Sequence, residues 1–157
     1  MNIRRAVQAD LNSLIMLFKK AYEGFDHIPD SEFILFQKEL KASFDRQQIY
    51  RISFFVLEKE EGEIISFAGI APSMFMGNAW ELRWDTTHPD HQRQGLMTEL
   101  TQYRINFAIE QNAQSQLESP GVIQVMARYP MVYKKFGFRD VWERAIDNYA
   151  MYMIREI

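Results

Sequence analysis

The most informative part of this chain joins a predicted strand to a predicted helix. It reads Thr86-Thr87-His88-Pro89-Asp90-His91-Gln92-Arg93-Gln94-Gly95-Leu96-Met97. The strand is predicted to end at Pro89, a polar turn follows, and a glycine stands where the next helix begins. A helix start presents unpaired N–H groups and a positive dipole end, and Gly95 has no side chain to keep an anion away from them. The segment therefore indicates a phosphate site; the alternative is a strand-to-helix turn that needs a permissive residue.

The segment lies between two clear periodicities. Ala79 to Thr87 alternates with period two, which predicts a strand. Its two predicted faces carry Trp80, Leu82, Trp84 and Thr86 on one side and Glu81, Arg83, Asp85 and Thr87 on the other. The helical period begins at Gly95, with Leu96, Leu100, Tyr103 and Phe107 on one stripe and Met97, Arg104 and Ala108 beside it. The polar stretch from Gln111 to Pro120 predicts a loop.

The same periodicities predict the remaining elements. We expect an amphipathic helix with Asp10 as its N-cap that ends at Gly24, and a second helix from Ser31 to Phe44 with Asp30 as its cap. The other predicted elements are a hairpin of Ile52–Glu58 and Ile64–Ala71 that turns at Glu61-Gly62, a turn at Met76-Gly77-Asn78, a strand at Val122–Met126, a short helix at Pro130–Phe136, and strands near Val141 and at Tyr149–Ile154. The order β α α β β β α β α β β predicts a single α/β domain over residues 1–157, with a mixed, mainly antiparallel central sheet flanked by helices.

Composition excludes several classes of protein. The chain has 157 residues, of which 47% are hydrophobic, and this suits one globular domain with a sizeable core. The absence of cysteine excludes disulfide scaffolds, thiolate metal sites and cysteine nucleophiles. The longest apolar run, Tyr149–Ile154, is too short to span a bilayer, and no signal-peptide pattern follows Arg4 and Arg5. With a net charge of −3 and no basic block, we expect a cytoplasmic protein that binds neither nucleic acid nor membrane.

Three short motifs occur in an order that carries a family resemblance. They are His88-Pro89-Asp90-His91-Gln92-Arg93-Gln94-Gly95, Tyr133-Lys134-Lys135-Phe136-Gly137-Phe138, and Ile3-Arg4-Arg5-Ala6 with Asp10-Leu11. The first resembles the acetyl-CoA signature of the GNAT superfamily of N-acetyltransferases, in which a Pro-containing turn leads into Gln/Arg-x-x-Gly-x-Gly/Ala. The second resembles the family's late Tyr-x-x-x-Gly-Phe element, and the third its usual first strand and helix. The resemblance covers nearly the whole chain and implies a GNAT-type fold that uses acetyl-CoA as co-substrate.

The resemblance also implies where acetyl-CoA binds. Its pyrophosphate is expected on a motif that opens at Gln92, on the backbone N–H groups of Arg93, Gln94, Gly95, Met97 and Thr98. The pantetheine arm is expected along Thr86, Thr87 and His88, where a backbone N–H would stabilise the oxyanion of acyl transfer. Met97 departs from the family pattern, which has Gly or Ala at that position. We favour a Met97 side chain that points into the core over one that crowds the pyrophosphate.

Two residues are candidates for proton transfer. Tyr133 occupies the family position for the general acid, and a tyrosine phenol stays protonated at neutral pH. Glu81 lies on the predicted strand where the family's histone-acetylating members have a catalytic glutamate, and it is the candidate base. Asp85 is the reserve candidate. A core tyrosine and a carboxylate paired with Arg83 or a neighbouring strand are the alternative interpretations.

The sequence leaves the acceptor open. Glu23, Asp26, Asp30 and Glu32 occur among Tyr22, Phe25, Phe33 and Phe36, a mixture that suits a cationic amine, although a solvated helix face over a buried stripe is the favoured interpretation. His88 and His91 with Asp90 offer no third ligand of matching spacing, so we expect turn residues and no metal. The function expected is N-acetylation of a primary amine. A catalytically impaired acyl-CoA sensor and a dimer formed through Val141–Ile154 are the alternatives.

Overall fold

The helices and strands occur in the order that the sequence predicts. The computed structural model describes residues 1–23, 29–45, 52–60, 62–73, 79–115, 121–127, 131–141 and 151–157. In these residues the strands are β1 Asn2–Arg5, β2 Ser53–Glu58, β3 Ile64–Pro72, β4 Ala79–Thr87, β5 Val122–Ala127, β6 Arg139–Asp140 and β7 Met151–Glu156, and the helices are α1 Leu11–Tyr22, α2 Asp30–Ser43, α3 Leu96–Ser115 and α4 Met131–Lys134. Short 3₁₀ turns occupy Gln8–Asp10 and Pro89–His91. None of these helices is long and apolar enough to cross a membrane.

The strands form one mixed sheet in the order β1-β2-β3-β4-β5-β7-β6. Strand β1 pairs antiparallel with β2, and β7 pairs antiparallel with both β5 and β6. Strand β4 pairs with β5 in parallel, and this register sets Glu81 opposite Gln124. The predicted α/β class with a mixed, mainly antiparallel sheet is confirmed.

Contacts group the residues into two compact units. The first unit contains Met1–Gly69 and Trp84–Thr101, and its core is a group of aromatic rings from both early helices and the sheet. The rings of Phe18 and Phe36 stack with centroids 4.2 Å apart, and Phe36 also stacks on Phe67 at 5.6 Å. Aromatic pairs of this kind stabilise a core beyond the area that they bury.

The second unit contains Ile70–Arg83 and Gln102–Ile157. Its buried residues include Ile105 and Ala108 of α3, Ile123 of β5 and Met153 of β7. Arg104 is fully buried with them. This is tolerated because every buried side-chain N or O atom in the described residues has a hydrogen-bond partner.

The predictions for α3 are partly wrong. The stretch from Gln111 to Ser115 continues the helix, because Asn112 accepts a hydrogen bond from Trp80 Nε1 at 2.8 Å and this tertiary contact outweighs the polar composition. The buried face is also rotated from the predicted stripe. It consists of Leu96, Leu100, Thr101, Arg104, Ile105 and Ala108, whereas Tyr103 is 39% exposed.

Neither early helix has the side-chain N-cap that the sequence predicts. Asp10 precedes α1, but its carboxylate does not cap that helix. It accepts hydrogen bonds from the Arg4 guanidinium at 2.7 and 3.0 Å and from the Val7 N–H at 2.8 Å. Asp30 is the first residue of α2, and Pro29 occupies the N-cap without a side-chain hydrogen bond. Other element ends differ from the prediction by a few residues.

Several predicted features fall outside the described residues. They are the helix end at Gly24, the residues Phe25, Asp26, Glu61 and Pro130, the turn at Met76-Gly77-Asn78, residues 116–120 of the predicted loop, and the start of the last strand at Tyr149.

The ion pair of Arg4 with Asp10 makes stability depend on pH. The Arg4 hydrogen bonds hold the pKa of the Asp10 carboxyl below its ordinary value of 3.8. The ionised carboxylate therefore stabilises the folded state above that pH, and the stabilisation is lost as the pH falls through the lowered pKa. We expect Asp10→Asn to reduce the free energy of unfolding by about 1–3 kcal/mol at pH 7, because a buried charged hydrogen-bond partner is lost.

Urea unfolding of both proteins between pH 7 and pH 2.5 tests this expectation. The difference between Asp10→Asn and the parent should shrink toward the acid end. Glu63→Gln is the matched control, since Glu63 pairs with Lys59 at an exposed position and such pairs contribute little to stability. An equal loss for Asp10→Asn at every pH would contradict the electrostatic explanation.

Candidate active site

The loop between β4 and α3 has an unusual backbone. After the 3₁₀ turn Pro89–His91, the residues Gln92–Gly95 are exposed, and both Arg93 and Gly95 have positive φ, at 61° and 84°. Within the described part of the chain, the N–H groups of Arg93, Gln94 and Gly95 donate no hydrogen bond. The Gln92 N–H, by contrast, is used within the turn, since it donates to the carbonyl of Pro89. Three successive N–H groups beside a helix start therefore have no partner among the described residues.

The start of α3 places a positive dipole end beside this loop. The first hydrogen bond of α3 runs from the Glu99 N–H to the Gly95 carbonyl at 3.1 Å, so the positive end of the helix dipole lies at Gly95. A Cβ built on Gly95 would meet no atom within 4 Å. The glycine is therefore required for its left-handed backbone and not for close packing, and the space beside it is open to a ligand. Met97 in the first turn is half-buried, so its predicted core position stays a prediction.

The end of β4 is held by side-chain hydroxyls. Ser66 Oγ on β3 donates to the carbonyl of Thr86 at 2.8 Å and lies 2.9 Å from Thr87 Oγ1. Since a serine has one hydroxyl proton, Thr87 donates in the second contact. The His88 N–H donates to the carbonyl of Ile65 at 2.9 Å. That amide is therefore part of the sheet and is not available for an oxyanion.

Trp84 interrupts the regular strand that its neighbours form. Its φ is 59°, a left-handed value that is rare for a bulky residue and costs about 1–3 kcal/mol. The simple alternation predicted for Ala79 to Thr87 is therefore wrong at this position, where the ring is only half-buried while Leu82 and Thr86 are buried. A tryptophan in the sequence does not predict such a backbone, because left-handed residues are usually glycine or asparagine.

The candidate base Glu81 belongs to the second unit and has two close partners. Gln124 Nε2 on β5 donates to Glu81 Oε1 at 2.6 Å, and Arg83 lies 3.5 Å from Oε2. Gln124 also donates to Ser73 Oγ at 3.3 Å. The sequence analysis missed Gln124, since only the parallel register of β4 and β5 reveals that it faces Glu81. The carboxylate is 24% exposed and thus remains open to water.

The candidate acid Tyr133 lies on the short helix α4 of the second unit. It is buried, and its ring contacts Phe138 edge-on at 5.7 Å. Its carbonyl accepts the N–H groups of Phe136 and Phe138, which closes a tight turn through Gly137 at a φ of 82°. The predicted motif from Tyr133 to Phe138 is therefore one compact turn that fixes the tyrosine backbone.

The two histidines of the loop have a local structural role. His88 Nδ1 accepts the N–H of Asp90 at 3.2 Å, and the rings of His88 and His91 are 5.5 Å apart. Among the described residues, no group of three or more His, Asp or Glu side chains could hold a metal ion. His88 thus stabilises the 3₁₀ turn that leads into the loop.

The buried amide of Gln124 should contribute measurably to stability. We expect Gln124→Leu to lower the free energy of unfolding by about 1–3 kcal/mol, because Glu81 and Ser73 both lose a buried donor. Ser73→Ala is the matched control and should cost less, since it leaves the 2.6 Å hydrogen bond from Gln124 to Glu81 in place. Chemical denaturation measures both. Equal losses for the two variants would show that the bond to Glu81 contributes nothing.

Comparisons with known proteins identify the family and the fold. A family model described as the acetyltransferase (GNAT) family matches residues 13–138. No curated protein matches the chain at significance. Among solved structures, the ribosomal-protein-S18-alanine N-acetyltransferase of Escherichia coli is 17% identical with a TM-score of 0.69, over 99% of this chain and 93% of that one.

Two further similar structures were solved with CoA bound. The PaiA N-acetyltransferase of Thermoplasma acidophilum is 14% identical with a TM-score of 0.68, over 99% of this chain and 98% of that one. The GNAT family N-acetyltransferase YhbS of Escherichia coli is 16% identical with a TM-score of 0.71, over 99% of this chain and 80% of that one. At these identities the structures show the fold. Because the family model covers most of the chain, the protein belongs to the GNAT family of acetyltransferases.

Proposed function

We propose that this chain is an N-acetyltransferase that moves an acetyl group from acetyl-CoA to a primary amine of a small molecule or peptide. The transfer is direct, within a ternary complex, and a single domain over residues 1–157 carries it. The observation that carries the proposal is the exposed loop at Arg93–Gly95, whose three N–H groups donate no hydrogen bond to the described chain. The CoA complexes of PaiA and YhbS, which share the fold, support it.

In this proposal the backbone holds acetyl-CoA. The pyrophosphate accepts hydrogen bonds from Arg93, Gln94 and Gly95 and from the first turn of α3 at Met97 and Thr98, while Gln92 opens the motif. The pantetheine arm follows the end of β4 at Thr86, Thr87 and His88. Backbone N–H groups suit this role because they are fixed before the ligand arrives.

Acyl transfer then requires the amine nitrogen to lose two protons and the CoA sulfur to gain one. Glu81 accepts a proton from the attacking ammonium, directly or through water, so that a neutral amine reaches the thioester carbonyl. Gln124 holds the Glu81 carboxylate in place through its 2.6 Å hydrogen bond. A backbone amide near Thr87 stabilises the oxyanion. It is not the N–H of His88, because that group already donates to the carbonyl of Ile65. Tyr133 donates its phenolic proton as the carbon–sulfur bond breaks, so CoA leaves as a thiol. The nitrogen loses its second proton through water to Tyr133, and Glu81 releases the first proton to solvent.

Ligand-induced stabilisation tests acetyl-CoA binding. Acetyl-CoA at about 100 times its Kd should stabilise the fold by about 2.7 kcal/mol, which raises the Tm by several degrees. We expect Gly95→Ala to abolish most of this shift, because alanine is strained at a φ of 84° and the loop must change its backbone.

Gly62→Ala is the matched control for this experiment. Gly62 also has a positive φ of 80° with no atom within 4 Å of a built Cβ, so the cost to stability should be similar. It lies in the turn between β2 and β3, and we expect a normal acetyl-CoA shift. If both variants keep the shift, the loop is not the pyrophosphate site. If the parent shows none, acetyl-CoA binding itself is refuted.

Removal of the Tyr133 hydroxyl tests the assigned acid. With an amine that releases CoA thiol, Tyr133→Phe should lower kcat by about 10²- to 10⁴-fold, the usual contribution of general acid–base catalysis, and leave the KM for acetyl-CoA nearly unchanged. Tyr103→Phe on α3 is the matched control, since Tyr103 is 39% exposed and has no assigned role. An unchanged kcat across the pH range would reject Tyr133 as the acid.

The same thiol assay separates the enzyme from its alternative. An acyl-CoA sensor of this fold would show the stabilisation by acetyl-CoA but release no thiol with any amine in a broad panel.

A further inference from the structure

The strained backbone at Trp84 needs a physical cause. A left-handed bulky residue inside a strand persists only where its surroundings hold it there. Trp84 lies two residues before Thr86 on β4, in the same unit as the β4–α3 loop. Any force that holds Trp84 therefore acts next to the strand end that the proposed function assigns to the pantetheine arm.

Contacts from α2, and one from α1, hold the Trp84 side chain. Glu39 Oε2 accepts a hydrogen bond from Trp84 Nε1 at 2.6 Å. The indole also contacts two buried rings, Phe36 of α2 at 5.4 Å and Phe18 of α1 at 5.9 Å. A short bond to a carboxylate is among the stronger protein hydrogen bonds, and the two ring contacts restrict the indole further. The side chain is thus fixed by contacts from outside the strand.

A continuous set of hydrogen bonds links Trp84 to the strand end. Thr86 Oγ1 donates to the carbonyl of Trp84 at 3.1 Å. The Thr86 carbonyl accepts from Ser66 Oγ at 2.8 Å, and Ser66 Oγ in turn accepts from Thr87 at 2.9 Å. Ser66 is fully buried, so water cannot replace these bonds. These hydrogen bonds connect the Trp84 carbonyl to Thr86 directly and to Thr87 through Ser66.

We propose that Glu39 and Trp84 are positioning residues that orient the end of β4 for the pantetheine arm of acetyl-CoA. The inference rests on the proposed function and adds to it a residue of α2 outside every motif of the sequence. Glu39 does not touch the ligand in this proposal. It acts through the Trp84 indole and the hydroxyl network, and the pyrophosphate loop at Arg93–Gly95 is independent of it.

Two ligands separate these effects. Acetyl-CoA uses both the loop and the strand end, whereas 3′-phospho-ADP contains the nucleotide and pyrophosphate of CoA without the pantetheine arm. The Kd of each ligand is measured by calorimetry for the parent, Glu39→Ala, Glu39→Gln, Trp84→Phe and the double variant Glu39→Ala/Trp84→Phe. Lys38→Ala, at an exposed neighbouring position on α2, is the control.

We expect Glu39→Ala to weaken acetyl-CoA about tenfold, as the loss of a hydrogen bond to a charged group does, and to change the Kd of 3′-phospho-ADP less than twofold. Glu39→Gln keeps an acceptor and should retain most of the affinity. Trp84→Phe keeps a six-membered aromatic ring and loses the N–H with part of the packing, so it should weaken acetyl-CoA binding at least as much as Glu39→Ala. The double variant should be no weaker than Trp84→Phe alone. If Glu39→Ala does not fold, Trp84→Phe carries the same comparison.

Three results would overturn the inference. The first is unchanged acetyl-CoA affinity in Glu39→Ala and Trp84→Phe. The second is an equal loss for both ligands, which would mean a loosened fold and no specific positioning. The third is a parent protein that binds neither acetyl-CoA nor 3′-phospho-ADP, which would refute the proposed function as well. In the first two cases the parent still binds acetyl-CoA, and only the inference fails.

Discussion

Trp84 has a left-handed backbone inside β4, and contacts from both early helices hold its side chain. Its indole donates to Glu39 at 2.6 Å and packs on Phe18 and Phe36, the same rings that form the aromatic core of the unit. The core therefore does more than bury apolar area. Its rings also contact the residue from which the last part of β4 continues, and hydrogen bonds of Thr86 join that residue to Ser66 at the strand end.

The loop after this strand is specified by backbone conformation. Arg93 and Gly95 both have positive φ, and the N–H groups from Arg93 to Gly95 donate to nothing in the described chain. A glycine is needed for its φ of 84° with open space around it, so the requirement at this point is conformational and not steric. A site built from amides demands few particular side chains. This suits a family in which similar folds occur at 14–17% identity.

The candidate proton-transfer residues lie in the second unit and are held by different means. Glu81 is fixed by a buried side chain, since Gln124 donates to it across the parallel pair β4–β5. Tyr133 is fixed by its backbone, since its carbonyl closes the turn that contains Phe136 and Phe138. A carboxylate needs an external donor to restrict its rotamers, whereas a ring packed against Phe138 has little freedom left. Both arrangements reduce the motion of a group that the proposed reaction needs in one place.

The sequence by itself determined the order of elements, the family resemblance and the position of the loop at Gly95, because periodicity and a glycine at a helix start are local properties of the chain. Tertiary structure alone decided which partners the polar side chains take. Asp10 binds Arg4 instead of capping α1, Asn112 keeps α3 helical beyond the predicted end, and Gln124 meets Glu81 through strand register. The left-handed Trp84 belongs to the same group. Arg4 and Asp10 are six residues apart, whereas the other contacts join residues distant in sequence. Their energies override local preference only once the fold brings the partners together.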